Sequence, residues 1–385
     1  MKNPDIFGYY QVGNQKYYSK LEAIEEHTRT GIHPHWNFNE DVFGVYNWQE
    51  EPKDSLAELY RRRAQQLRDN YDYLILWYSG GSDSDNILNT FVNNDIKLDE
   101  IVSYSNYEAT GDKYNFLNGE IFNVAIPKIK KLKDEHPELG TLKHRIIDLS
   151  QMMVDWFKNP VNQFDWIYHL NIMVSVNGLA RQDIHQQIPE WFDIMNTGKK
   201  VAFIHGSDKP RIIQNEQGEY IFRFLDIIDS NAVSARNQTL NRIWENNELF
   251  YWTPDLPDIV IKQSHIIKRY LQSATRDTEY MTDITSGLAY KLIDGKPCWI
   301  KVAGVHTLIY PNWQPIPYQV KPASPLFSPR DHWFREFSDK EVAFKVYKNG
   351  LIKRWQMIPD YWKNDPADIY KGYKCSWSCD YNLGI

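Results

Sequence analysis

The residues best suited to chemistry in this chain are Ser79-Gly80-Gly81-Ser82-Asp83-Ser84, a glycine pair set among three hydroxyls and one carboxylate. Glycine lacks the Cβ that keeps a backbone away from an anion. A helix start offers N–H groups without intrahelical acceptors at the positive end of its dipole. Phosphate suits such a turn. The serines add hydroxyl donors, and Asp83 is placed to hold a metal ion, directly or through water, or to orient the loop. The plain alternative is a strand-to-helix turn that happens to contain two glycines and a capping serine. At about 7% usage per fixed position, a chance match to Ser-Gly-Gly-x-Asp-Ser comes to roughly one in a thousand, which favours the phosphate loop.

Elements that would position this loop are legible on both sides. Tyr73-Leu74-Ile75-Leu76-Trp77-Tyr78 is a continuous apolar run, the pattern of a strand buried on both faces of a parallel sheet. Ile87, Leu88, Phe91 and Val92 then share one face of a helix over Asp85 to Asn93. Ser55 to Asn70 reads as a surface helix with Leu56, Leu59, Tyr60, Ala64 and Leu67 inward and Arg61, Arg62, Arg63 and Arg68 around them. Further strands are expected at Glu100 to Tyr104, Arg145 to Leu149 and Val201 to Ile204, with helices near Asn115 to Lys133 and Ile184 to Asn196 between them. Such alternation means a parallel sheet covered by helices. Residues 1–54 read as a small hairpin followed by a helix. Helical periodicity returns in Asn231 to Glu248 and Asp258 to Ser273, and from Lys296 onward the chain reads as an irregular aromatic cap.

In this setting Ser79 to Ser84 resembles the PP-loop signature of the adenine-nucleotide alpha-hydrolase-like superfamily. Its members include asparagine synthetases, GMP synthetases, tRNA-lysidine synthetases, tRNA thiolation enzymes and phosphoadenylyl-sulfate reductases. The resemblance runs from the helix at Ser55 to the strand at Val201, with the loop as its close motif. It implies an α/β fold, a five-stranded parallel sheet with helices on both faces, and ATP with magnesium as ligands. Residues 55–230 would form the ATP-binding domain and residues 231–385 a helical and irregular substrate or cap region. The implied chemistry is cleavage of ATP between the α and β phosphates. AMP passes to a substrate oxygen, and pyrophosphate is left in the loop. The chain has no Gly-x-x-x-x-Gly-Lys-Ser/Thr sequence, which agrees with that chemistry. The same resemblance implies that the backbone at Tyr78 and at Val102-Ser103-Tyr104 contacts adenine and ribose.

A second loop follows the strand at Val201, where His205-Gly206-Ser207-Asp208-Lys209-Pro210-Arg211 combines a glycine turn with an acid and two bases. Ligands of open parallel sheets bind beyond the carboxyl ends of the strands, where strand order reverses, so this loop is expected to face the first. Gly206 and Asp208 bear a looser similarity to the corresponding loop of asparagine synthetases. Lys209 and Arg211 suit neutralising pyrophosphate and the pentavalent α-phosphorus, the alternative being a solvated turn. Arg181 opens the preceding helix as a further candidate, and His205 is expected to pack rather than act as a base.

Composition bounds the rest. With 385 residues, 42% hydrophobic and 15% aromatic, the chain can build a sizeable core. A net charge of -6, from 44 basic and 50 acidic residues, excludes binding a duplex by overall charge. A local basic patch combining Arg61 to Arg68 with Lys128 to Lys133 stays open, against the plainer reading that the lysines are a wet helix face. No long apolar run or leader is seen and only three cysteines occur, which together predict a cytoplasmic protein without a membrane partner. Cys375-x-x-x-Cys379 lacks further zinc ligands nearby, and His33-Pro34-His35 reads as a loop. No Glu-Cys-Gly-x-His segment of sulfate reducers is present, nor a cysteine directly after Met1 as in glutamine-using synthetases.

The expectation is therefore an adenylating enzyme that activates a carboxylate, amide or nucleobase oxygen for a nitrogen nucleophile. The alternatives are a PP-loop enzyme modifying a nucleic-acid base, sulfur transfer included, and a protein that binds adenine nucleotide without catalysis.

Overall fold

The computed structural model describes residues 4–111, 118–159, 166–168, 188–206, 209–226, 246–273, 281–283, 288–293, 296–301, 305–311, 313 and 342–385. Its N-terminal segment contains a hairpin and a helix. β1 (Tyr9–Val12) pairs antiparallel with β2 (Gln15–Tyr17), and helix Lys20–Thr30 follows. β3 (His35–Asn37) adds a third strand on the other side of β1.

The centre is a five-stranded sheet built from β4 (Tyr73–Trp77), β5 (Glu100–Ser105), β6 (Lys143–Asp148), β7 (Val201–His205) and, after the short strands β8 (Ile212–Gln214) and β9 (Tyr220–Phe222), β10 (Asn247–Leu249). Its order is β10-β7-β4-β5-β6 and every pairing is parallel. The chain therefore winds outward from β4 through β5 to β6, then returns to the other side of β4. That reversal puts a crevice beyond the ends of β4 and β7. Alternation along β4 divides the interior into two cores. Leu74 and Leu76 enter one, with helices Leu56–Asn70, Ser82–Asn93 and Asp258–Ser273, while Ile75 enters the other, with helices Ser150–Lys158, Pro189–Asn196 and Val342–Met357. Helices thus cover both faces. Residues of the N-terminal segment and of the chain beyond 230 contribute to both cores.

Two expectations are corrected here. Periodicity predicts a helix running to Glu248, yet Asn247–Leu249 is the fifth strand, on the edge beside β7. Its polar sequence hides it, because Glu248 is buried by an ion pair rather than by an apolar side chain. Arg63 donates to Glu248 Oε2 at 2.8 Å and to the Leu249 carbonyl at 2.8 Å, and it is only 1% exposed, so the Leu56–Asn70 helix does not present it to water. From Met281 onward the described residues hold more regular structure than the irregular cap expected beyond Lys296. β11 (Met281–Asp283), β12 (Leu288–Ile293) and β13 (Lys296–Lys301) form an antiparallel meander, Val342–Met357 is a sixteen-residue helix, and β14 (Tyr381–Asn382) pairs with β9. The helix expected over Asp258–Ser273 is present with those bounds. Residues 231–245 and the first four residues of the helix expected from Ile184 lie outside the described residues.

β5 and β6 are tied by side chains as well as backbone. Ser103 Oγ donates to the Tyr78 carbonyl at 2.7 Å, so it accepts from His144 Nε2, 3.0 Å away. Burial, helped by the Lys133 charge, pushes the His144 imidazole down to about 4. Below its ordinary range, near 6.5, the unfolded chain takes up a proton that the folded chain refuses, so stability falls as pH drops from 6.5 towards 4. We predict that this residue alone costs about 2 kcal/mol over that interval. Urea unfolding of parent and His144→Gln at about pH 7.5 and about pH 4.5 checks it, the variant losing less stability on acidification.

Candidate active site

β4 is anchored where it ends. The Tyr78 amide donates to the Val102 carbonyl at 2.8 Å, its carbonyl receives Ser103 Oγ, and its hydroxyl donates to Asp85 at 2.9 Å. Both backbone groups of Tyr78 are therefore engaged within the protein, and Tyr104 stacks on Trp77 with ring centroids 5.1 Å apart.

The loop itself is cinched by its own hydroxyls. The Ser79 amide donates to Ser84 Oγ at 3.2 Å, Ser84 Oγ donates to the Gly81 carbonyl at 3.2 Å, and the Gly81 amide donates to Ser79 Oγ at 3.1 Å. Ser79 and Ser84 thus shape the turn, where the sequence suggested hydroxyls that donate to the ligand. Gly81 is the N-cap of helix Ser82–Asn93, so the amides of Ser82, Asp83 and Ser84 have no intrahelical acceptor. Gly80 has φ +80°, and a Cβ there would meet the Ala125 nitrogen and the Glu120 carbonyl oxygen at 3.1 Å. Its glycine makes room for the protein's own backbone. A Cβ on Gly81, with φ -76°, meets only side chains, Ser79 Oγ at 3.1 Å and Glu120 Oε1 at 3.3 Å.

Asp83, in the first turn of that helix, gathers three parts of the chain. Lys209, from the loop after β7, donates to Asp83 Oδ2 at 2.7 Å. The Tyr310 hydroxyl, just past helix Val305–Ile309, donates to Oδ1, and the Tyr251 hydroxyl donates to the Asp83 carbonyl at 2.8 Å. His306 Nδ1 lies 2.6 Å from Ser82 Oγ. Burial alone would raise the Asp83 carboxyl, but Lys209, His306 and the Tyr310 hydrogen bond outweigh it and hold the group below the ordinary carboxylate range. Burial first, and the Asp83 charge with it, pushes both tyrosines well above theirs, so they remain donors. Asp83 stays 24% and Lys209 13% exposed, enough for a ligand to reach both. Gly206 is needed for the approach, since a Cβ there would meet Asp83 Cβ at 3.2 Å and Ile87 Cδ1 at 3.1 Å.

The two loops expected to face each other are therefore in contact through Lys209 and Gly206. Arg211, half-buried, leads into β8 and makes no ion pair with the loop among the described residues, while Asp208 and Arg181 lie outside those residues. His205 packs, hydrogen-bonded at 3.0 Å to Asn247 across the β7–β10 pairing. Tyr251, His306 and Tyr310 were not singled out in the sequence, where they stand in stretches without periodicity. Lys128 is not part of a wet face, because it pairs with buried Asp85 at 2.6 Å. The arginines of the basic patch left open above are likewise answered by acids: Arg61 pairs with Glu58, Arg62 with Asp54, Arg63 with Glu248 and Arg68 with Asp99.

The two glycines should respond differently to a methyl group. We predict that Gly80→Ala costs about 1–3 kcal/mol, from strained φ and a backbone clash, whereas Gly81→Ala costs less than about 1 kcal/mol because flexible side chains can yield. Urea unfolding of both variants against the parent measures this, and equal costs would contradict the contacts described.

No protein-family model matches this sequence, and a search of curated proteins returns no significant match.

Proposed function

We propose that this protein binds ATP with its pyrophosphate part against the amides of Ser82, Asp83 and Ser84, and splits the bond between the α and β phosphates. The observation that carries the reading is the closure of the Lys209 loop onto Asp83 at the reversal point of the sheet, which puts a cation and a carboxylate at the mouth of a glycine turn. An acceptor oxygen of a carboxylate, amide or nucleobase attacks the α-phosphorus. A P–O bond forms, the bond from the α-phosphorus to the bridging oxygen breaks, and pyrophosphate leaves. A nitrogen nucleophile then displaces AMP.

Lys209 is placed to leave Asp83 for the phosphate charge that develops, with Arg211 as a second cation of the same loop. Asp83 would hold magnesium together with phosphate oxygens and water, which suits a hard cation that keeps much of its hydration. Its carboxyl is held in the ionised form that such binding needs, and among the described residues no group of three His, Cys, Asp or Glu competes for the metal. Magnesium bound there supplies charge neutralisation between the phosphates. His306 and Tyr310 act through Ser82 and Asp83, holding the loop in its receptive shape. Among the described residues no helix is long and apolar enough to cross a membrane.

Chromatography of α-labelled ATP with candidate acceptors is expected to give AMP and pyrophosphate, and steady release of ADP and phosphate would overturn the reading. Asp83→Asn and Lys209→Ala should each lower turnover by about 10²-fold or more with the fold kept. Mg-ATP at a hundred times its dissociation constant should stabilise the parent by about 2.7 kcal/mol and these variants by less.

A further inference from the structure

A second cleft, of about 480 Å³, opens between the N-terminal segment and the end of the chain, lined by His33, Pro34, His35, Tyr361, Trp362 and the run Lys374 to Trp377. None of these residues belongs to the phosphate-loop site. The cleft is built on backbone pairing at both walls: the Lys374 amide donates to the Trp362 carbonyl at 2.9 Å, and Trp377 bridges to Leu225. Its floor is an interlocked ring cluster. His33 lies 5.0 Å from Trp362 and 6.0 Å from Tyr361, centroid to centroid, and Tyr361 lies 5.3 Å from Trp362. The Pro34 carbonyl can only accept, so His33 donates to it from Nδ1, and His33 Nε2 is hydrogen-bonded to the Tyr361 hydroxyl 2.8 Å away. That fixes Tyr361, which is nevertheless 57% exposed, and Trp377, at 37% exposure, is the second exposed aromatic residue of the lining.

Charge narrows the ligand class. Among the described residues the lining contains no carboxylate and no carboxamide side chain, which disfavours both a cation and a sugar read by hydrogen bonds. Nearby acids are already answered, Glu40 by His35, Asp360 by Lys363 and Asp380 by Arg223. Lys374, exposed and 5.4 Å above the Tyr361 ring, makes no ion pair among the described residues. Two exposed aromatic side chains beside one such cation suit a planar ring that carries negative charge. We infer that this cleft binds a nucleobase together with its phosphate, stacked on Tyr361 and Trp377 with the phosphate at Lys374. A free mononucleotide and one unit of a single strand share that chemistry.

The test is fluorescence anisotropy of a labelled single-stranded oligothymidylate on the full chain, with AMP as competitor and tryptophan quenching by AMP as a second readout. Affinity is expected to fall about 5- to 150-fold in Trp377→Ala and in Tyr361→Ala, and to be largely kept in Trp377→Phe. Lys374→Met should reduce the slope of log affinity against log salt by about one for the oligonucleotide. Lys209→Ala should leave this binding unchanged, which separates the cleft from the phosphate loop. Full displacement by AMP assigns the free mononucleotide, and an oligonucleotide that AMP does not displace assigns the strand. Failure of both probes to bind, binding indifferent to all the cleft variants, or loss in Lys209→Ala equal to that in Trp377→Ala would overturn the proposal.

Discussion

A carboxylate drawn inward stays ionised only when donors replace the water it has lost, and the Asp83 group sets that requirement for this fold. It sits at a helix start, where the dipole helps but does not suffice. Lys209 must come from the loop after β7 and Tyr310 from a stretch more than two hundred residues further along the chain. The side-by-side placement of β4 and β7 brings the first within reach, and glycine at 206 permits the close approach. The second is delivered because helix Val305–Ile309 is tethered by the Tyr60 hydroxyl to the Ile309 carbonyl. Tyr60 in turn receives Gln263 at 2.9 Å, so helices Leu56–Asn70 and Asp258–Ser273 both support the arrangement.

Much of the central architecture was legible because it is written in local pattern. β4 is an unbroken apolar run, the helices at Leu56–Asn70 and Asp258–Ser273 have clear periodicity, and the glycine pair marks the turn. What escaped reading depends on partners distant in sequence. β10 looks polar because Glu248 enters the interior only in company with Arg63, and Lys128 looks like a surface lysine until Asp85 is placed beneath it. His306 and Tyr310 carry no local signal, since their significance comes from contacts spanning 224 and 227 positions. The partners of the loop hydroxyls were not legible either: Ser79 and Ser84 close the turn on itself, and Ser82 is turned towards His306.

The same dependence on distant partners holds the two ends together. Lys20, 1% exposed, pairs with Asp226, which is fully buried and also receives the Tyr10 hydroxyl at 2.9 Å. Lys20 donates further to the Lys374 carbonyl. Removing either charge would leave the other buried without its partner, a larger penalty than the net worth of the pair. The aromatic core around it joins Trp36, Phe38 and Trp48 to Phe222, Phe224, Trp252 and Tyr381. The first fifty residues are therefore integral to the packing, and the aromatic cleft at His33 and Trp377 inherits its rigidity from them.

The strand order has a consequence for how the molecule comes into being. A ribosome delivers β4, β5 and β6 in the sequence in which they lie side by side, so three strands can pair as they emerge. β7 must then insert against the opposite edge of β4, and β10 can dock only later. Until Tyr310 is released, Asp83 lacks one of its donors, so a nascent chain passes through a stage with most of its sheet formed but the loop not yet secured. Large sequence separation of this kind slows folding, because the entropy of closing long loops opposes contacts that stabilise only once made. The contacts around Asp83 are thus completed only after most of the sheet has formed, and exposure of the unfinished β4 edge is the interval in which the chain is most open to mispairing.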